Sequence, residues 1–162
     1  CGVVRGWWAD TLTPTLFLMG EEELEDVLNI VALIQARMTS TRLPGKVMHE
    51  ISGEPMIWRV VVRVLRARTL TNTVVVTSVD PSDDPLAQFC AERGIPVFRG
   101  SLQDVLDRYI QAARAQAADV VVRITADCPV IDPGEIDHTV NEFLRSGVDF
   151  AANRLPPPWG RT

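Results

Sequence analysis

Residues 29–47 read NIVALIQARMTSTRLPGKV, and this stretch decides how the rest of the chain is read. Ile30 to Ile34 form an unbroken apolar run, the pattern of a strand buried on both faces rather than on one. The run then empties into Arg37, Thr39, Ser40, Thr41, Arg42 and Lys46 around a Pro44-Gly45 pair, a composition that suits neither strand nor helix. A buried strand ending in a cationic, hydroxyl-rich loop is the beginning of a ligand-binding α/β sheet.

The same alternation continues toward the C-terminus. Ile57, Val60, Val61, Val64 and Leu65 fall on one face of a helix over 56–67, and TVVVTSV (73–79) reads as a second strand. Asp83-Asp84-Pro85 has the form of a helix start with a capping carboxylate, and Gly94 closes that helix. IPVFRG (95–100) is a third strand. Ser101 then caps a helix running to about Gln116, DVVVRIT (119–125) is a fourth strand, and Asp132 to Glu135 opens another helix with capping-box spacing. VDFAAN (148–153) is a candidate fifth strand, and MHEISGEP (48–55) reads as an irregular excursion. Strands alternating with helices predict a doubly wound, mainly parallel α/β sheet. Such a sheet binds its ligand at the carboxyl ends of the strands.

Composition narrows the function. A chain of 162 residues is one domain long, and a net charge of −5 argues against a general nucleic-acid binder or a partner of acidic membranes. No run approaches the ~18 apolar residues of a membrane span. Cys1, Cys90 and Cys128 form no CxxC pair, so neither a disulfide framework nor a zinc site is indicated and a reducing cytoplasm fits. Residues 1–28, with an aromatic and Thr-rich stretch before the acidic EEELEDVL (21–28, one or two helical turns), form an extension without a readable role; residues 29–162 form the domain. Cys rather than Met at position 1 and the Pro-rich RLPPPWGRT at the end give the chain the look of a fragment, truncated at its C-terminus.

The first loop is neither a dinucleotide fingerprint nor a Walker loop: the chain has no GxG, Ser40 replaces the first Walker glycine and Val47 the Ser/Thr. Guanidinium forks and an ammonium among hydroxyls and backbone N–H groups nevertheless suit a polyphosphate. Lys46 is the single lysine among 16 cationic residues, so general composition does not account for it. A solvated basic turn is the plain alternative. The fourth strand adds Asp127 at its end, the position from which one carboxylate holds Mg²⁺ against phosphate oxygens. Helix capping accounts for Asp132, and Cys128, with no nearby His, reads as a small buried residue rather than a nucleophile.

The pattern A-R-x-x-S-x-R-x-P-x-K formed by Ala36, Arg37, Ser40, Arg42, Pro44 and Lys46, with DDP (83–85), VFRGSLQDVLDRY (97–109) and RITADCPVIDP (123–133), resembles a family of cytidylyltransferases. That family contains the spore-coat polysaccharide enzymes of the SpsF type, the CMP-KDO synthetases and the acylneuraminate cytidylyltransferases. The SpsF branch is the nearest, and the resemblance runs from Asn29 to Leu155.

The resemblance implies a Rossmann-like nucleotide-diphospho-sugar transferase fold and transfer of CMP from CTP to a sugar acid with release of pyrophosphate, in surface polysaccharide or glycan synthesis. By the family pattern Arg37, Arg42 and Lys46 hold the triphosphate, Ala36 and Ser40 line it, and Asp127 binds Mg²⁺. Arg37, Lys46 and Asp127 are then the catalytic set, while Gly100, Ser101 and Arg108 stand where the family reads the cytosine. Ala126 occupies a position at which the family often has Gly. The full-length protein is expected to be a homodimer, since the family continues beyond this point with a segment that supplies dimer contact and closes over the sugar. Other nucleotides, a glycosyltransferase on a similar fold, and a non-catalytic nucleotide-binding remnant are the rival readings.

Overall fold

The structure, a computed structural model, describes residues 2–5, 28–40 and 43–153. The expectation of helical turns in the acidic stretch before Leu28 lies outside those residues. The strands are β1 (Gly2–Arg5), β2 (Ile30–Gln35), β3 (Glu50–Ile51), β4 (Glu54–Pro55), β5 (Asn72–Ser78), β6 (Val97–Gly100), β7 (Val120–Thr125) and β8 (Phe150–Ala152). The helices are α1 (Met56–Val64), α2 (Asp84–Glu92), α3 (Val105–Ala115) and α4 (Pro133–Ser146).

Six strands make one sheet in the order β6-β5-β2-β7-β1-β8. The four strands expected from the apolar runs pair in parallel, and β1 enters antiparallel between β7 and β8. Alternate residues of β2 serve opposite layers. Ile30, Ala32 and Ile34 pack with Ile57, Val60 and Val61 of α1, Leu86 of α2 and Ile136 of α4, whereas Val31 and Leu33 pack with Ala112 and Ala113 of α3. Every residue of β2 except Gln35 is buried, as a strand covered on both faces requires.

This topology positions the site. From β2 the chain winds outward through β5 and β6, then returns across α3 to place β7 on the other side of β2. The carboxyl ends of β2 and β7 therefore flank a switch point, where the loops diverge and leave a crevice.

Three local expectations change. The segment over 48–55 is a short hairpin of β3 and β4, because Ser52 (φ 52°) and Gly53 (φ 78°) adopt the left-handed conformations of a tight two-residue turn. Ser101 does not cap α3; Asp104 does, accepting from Asp107 N at 2.8 Å, while Ser101 Oγ accepts from Asp104 N at 3.0 Å. The carboxylate stands directly before the helix and so takes the cap. Gly2–Arg5, for which the sequence offers no role, is a strand within the main sheet.

Candidate functional site

The loop after β2 is folded back on itself by its own backbone. Met38 O accepts from Ser40 N at 2.9 Å and from Gly45 N at 2.8 Å, closing a ring of residues beside the strand end. Gly45 has φ 69°, a conformation that glycine adopts without penalty and other residues resist. Its turn leads into a 3-10 helix over Lys46–Met48, where buried Val47 anchors the chain and leaves the Lys46 side chain one-third exposed.

Beneath this loop lies Asp83, which the sequence pattern assigns to helix capping. Its carboxylate caps nothing: it is fully buried and accepts from Met38 N at 2.7 Å, from Ser78 N at 3.0 Å and from the Ser78 hydroxyl. Burial alone would raise its pKa, but the hydrogen bonds from Met38 and Ser78 outweigh burial and hold it below the ordinary 3.8. Asp83 thus ties the loop after β2 to the end of β5.

Across the crevice, Ala126 is buried and its N–H donates to Gln35 O at 3.0 Å, continuing the sheet for one residue beyond β7. Among the described non-glycine residues only Ser52 and Ala117 have positive φ, so Ala126 sits without backbone strain. Asp127 follows with half its side chain exposed and accepts from Lys46 Nζ at 3.0 Å. A hydrogen bond with Thr125, then that with Lys46, lowers its pKa.

A crevice of about 480 Å³ joins these groups, lined by Ala36, Arg37, Ser40 and Lys46 from one side and Thr125, Ala126 and Asp127 from the other. Gln35 and Arg123 form a further wall. Arg123 Nη2 donates to Gln35 Oε1 at 3.2 Å, and its guanidinium lies over the Tyr109 ring, 5.7 Å from the centroid. Two loops expected to face each other therefore do, with a single carboxylate at the rim. No group of three His, Cys, Asp or Glu side chains gathers among the described residues. One carboxylate completed by ligand oxygens is nonetheless a donor set that Mg²⁺ accepts, so the residues fit that ion.

Gly100, Ser101 and Arg108 stand apart from the crevice lining, at the end of β6. Arg108 is 1% exposed and donates through Nη1 to Ser101 O at 2.6 Å; its Nε and Nη2 are buried with no partner among the described residues. Burial above all, and then the charge of Arg37, lowers its pKa, against the opposing pull of Tyr109 and Asp83. Buried donors without partners are costly, so this guanidinium calls for an acceptor beyond the described residues. Gly100 makes room for it: a Cβ there would come within 2.9 Å of Arg108 Cγ and 3.1 Å of the Phe98 ring.

Some expectations are corrected or lie elsewhere. Cys128 is exposed rather than buried, because the chain has left the sheet at Asp127; the buried thiol is Cys90, pushed up to about 11 by burial. Asp132 is the cap of α4, accepting from Gly134 N at 2.7 Å. Arg42 falls outside the described residues. Gln35 and Arg123 were not singled out by motif, although an arginine inside the apolar VVVRIT is itself an anomaly that marks the position.

A doubly wound sheet whose switch point carries a cationic loop opposite a strand-end carboxylate has the layout of α/β proteins that hold a ligand at the strand ends. The cytidylyltransferase family model matches residues 31–155, and the chain belongs to that family. It is 36% identical over 126 residues to the spore coat polysaccharide biosynthesis protein SpsF of Bacillus subtilis, covering 75% of this chain and 52% of that protein. It is also 36% identical over 117 residues to the 3-deoxy-manno-octulosonate cytidylyltransferase of Geobacter sulfurreducens, covering 70% and 44%. Among solved structures, a cytidylyltransferase from Leptospira borgpetersenii superposes with a TM-score of 0.69 at 37% identity, over 73% of this chain and 50% of that one. A CMP:2-keto-3-deoxy-manno-octonic acid synthetase complexed with CTP superposes at 0.66 with 25% identity, over 74% and 49%. The chain thus spans about half the length of the relatives it matches. Among the described residues no helix is long and apolar enough to cross a membrane.

Proposed function

We propose that this chain supplies the nucleotide-binding part of a cytidylyltransferase that moves CMP from CTP to a hydroxyl of a sugar acid. The observation that carries this reading is the crevice between the two loops, where Arg37, Ser40 and Lys46 face Asp127 with Lys46 and Asp127 already 3.0 Å apart. The names of the relatives, a 3-deoxy-manno-octulosonate cytidylyltransferase and a synthetase complexed with CTP, support cytidine and a sugar acid as the substrates.

Arg37 and Lys46 would receive the triphosphate, with Arg42 from the same loop, while Ser40 adds a hydrogen bond. The acceptor hydroxyl oxygen bonds to the α-phosphorus and its proton passes to solvent, the bond from that phosphorus to the bridging oxygen breaks, and pyrophosphate leaves with the bridging oxygen and the electron pair. The residues position and neutralise; none acts as a covalent nucleophile, in keeping with phosphoryl-type transfer. Asp127 would hold Mg²⁺, which when bound supplies further positive charge against the phosphate oxygens. The two unpartnered nitrogens of Arg108, behind Gly100 and Ser101, would meet acceptor atoms of the base. Gly2–Arg5 adds a strand to the sheet of the domain that begins at Asn29. The longer protein would work as a homodimer in the cytoplasm, in polysaccharide or glycan synthesis.

Thermal shift of the chain with Mg²⁺ and each of CTP, UTP, GTP and ATP tests the reading. CTP is expected to stabilise most; equal shifts for the four nucleotides would remove the cytidine assignment.

A further inference from the structure

One cation in the crevice has no place in the triphosphate cradle. Arg123 projects from β7, on the face of the sheet that α3 packs against: it pairs in register with Leu33, whose side chain belongs to the α3 layer. Arg123 is exposed at the crevice, beside the buried Val122 and Ile124 of the same strand. None of the ion pairs formed by described carboxylates involves Arg123. It is instead held in one orientation by neutral groups, by Gln35 Oε1 at 3.2 Å and by the face of the Tyr109 ring at 5.7 Å. Tyr109 is in turn half-buried and donates toward Gln35 Oε1 at 3.5 Å. A guanidinium fixed by an amide oxygen and an aromatic face keeps its full charge and most of its N–H donors for a ligand.

We infer that Arg123, oriented by Gln35 and Tyr109, is the residue that recognises the carboxylate of the second substrate, the sugar acid. The inference rests on the cytidylyltransferase reading above. Its logic is one of division: Arg37, Ser40 and Lys46 meet the phosphates from the loop after β2, and the planar fork of Arg123 on β7 matches a planar carboxylate with two parallel hydrogen bonds. In a sugar acid the carboxylate and the attacking hydroxyl belong to one small molecule, so both must fit beside Asp127, and Arg123 lines the same crevice. Gln35 and Tyr109 act through Arg123 and are positioning residues. An ammonium at position 123 would retain charge but lose the fork and the stacking.

The test is calorimetry on the chain loaded with Mg²⁺ and a CTP analogue carrying a methylene bridge between the α- and β-phosphorus, which cannot release pyrophosphate. The probes are 3-deoxy-manno-octulosonate, N-acetylneuraminate and, as the neutral control, glucose. At least one sugar acid is expected to bind, glucose not, and Arg123→Gln should weaken that sugar acid roughly 10- to 100-fold while weakening the nucleotide analogue far less. Arg123→Lys should recover only part of the loss. Tyr109→Phe, which keeps the ring, should stay near the parent, whereas Tyr109→Ala should follow Arg123→Gln in part. Sugar-acid affinity unchanged in Arg123→Gln, an equal or larger loss on the nucleotide, or no sugar acid bound by the nucleotide-loaded parent would each overturn the assignment. A parent that binds the sugar acid but no cytidine nucleotide would instead overturn the nucleotide reading, and with it this one.

Discussion

Asp83 and Asp127 lie on two sides of the same loop, and both carboxylates titrate below their ordinary value for different reasons. Asp83 is fully buried and saturated by donors of the protein itself, two backbone N–H groups and a hydroxyl. Asp127 is half exposed and held by Thr125 and Lys46, a contact that a competing ligand can take over. The difference separates support from chemistry. A carboxylate held by three donors inside the core fixes the loop, whereas one at the rim remains available to a cation and to phosphates.

Removing Asp83 gives the largest expected effect on stability. In Asp83→Ala the N–H groups of Met38 and Ser78 lose their buried acceptor, a cost of roughly 3 kcal/mol. Urea denaturation should show a lower midpoint, and a variant as stable as the parent would break the contrast. The same carboxylate predicts acid sensitivity. Its folded pKa lies below the unfolded value of 3.8, so its contribution is present above about pH 4 and disappears as pH falls through the folded value. Stability measured from pH 5 downward should therefore fall less steeply in Asp83→Ala than in the parent.

Gly100→Ala should rank next. The added methyl meets Arg108 Cγ at 2.9 Å, and overpacking of this kind costs about 1–2 kcal/mol. Because it displaces the guanidinium with the unpartnered nitrogens, the preference for CTP over UTP should shrink in the thermal-shift panel. Lys46→Ala should be the mildest for the fold, within ~0.5 kcal/mol, since its ion pair with Asp127 is exposed. In a turnover-competent protein the same change should slow pyrophosphate release by roughly 10² to 10³. A stable variant with unimpaired turnover would return the loop to a solvated basic turn.

The parallel sheet was legible because β2 and β5 are runs buried on both faces and β7 begins with three buried valines, a pattern that sequence displays without help from tertiary context. The turns were legible where chemistry is local, as at Asp132-Pro133 and Gly94. The role of Asp83 was not, because capping and loop support use the same residue type, and only the approach of Met38, 45 residues away in sequence, tells them apart. β1 escaped for a related reason: four residues carry too little pattern, and their pairing with β7 is more than a hundred residues distant. Arg123 was not singled out, because Gln35 and Tyr109, which give it orientation, meet it only across the sheet.

The most direct test of the contrast is the effect of Mg²⁺ on CTP affinity, titrated calorimetrically in the parent and in Asp127→Asn. The amide keeps the size of the side chain but offers no charge to the ion. The parent is expected to bind CTP at least about tenfold more tightly with Mg²⁺ than without, a gain on the order of 1.4 kcal/mol. Asp127→Asn should show the parent's circular dichroism and thermal midpoint, with CTP affinity little changed by Mg²⁺. A variant that responds to Mg²⁺ as the parent does would contradict the assignment of Asp127 as the carboxylate that carries the ion.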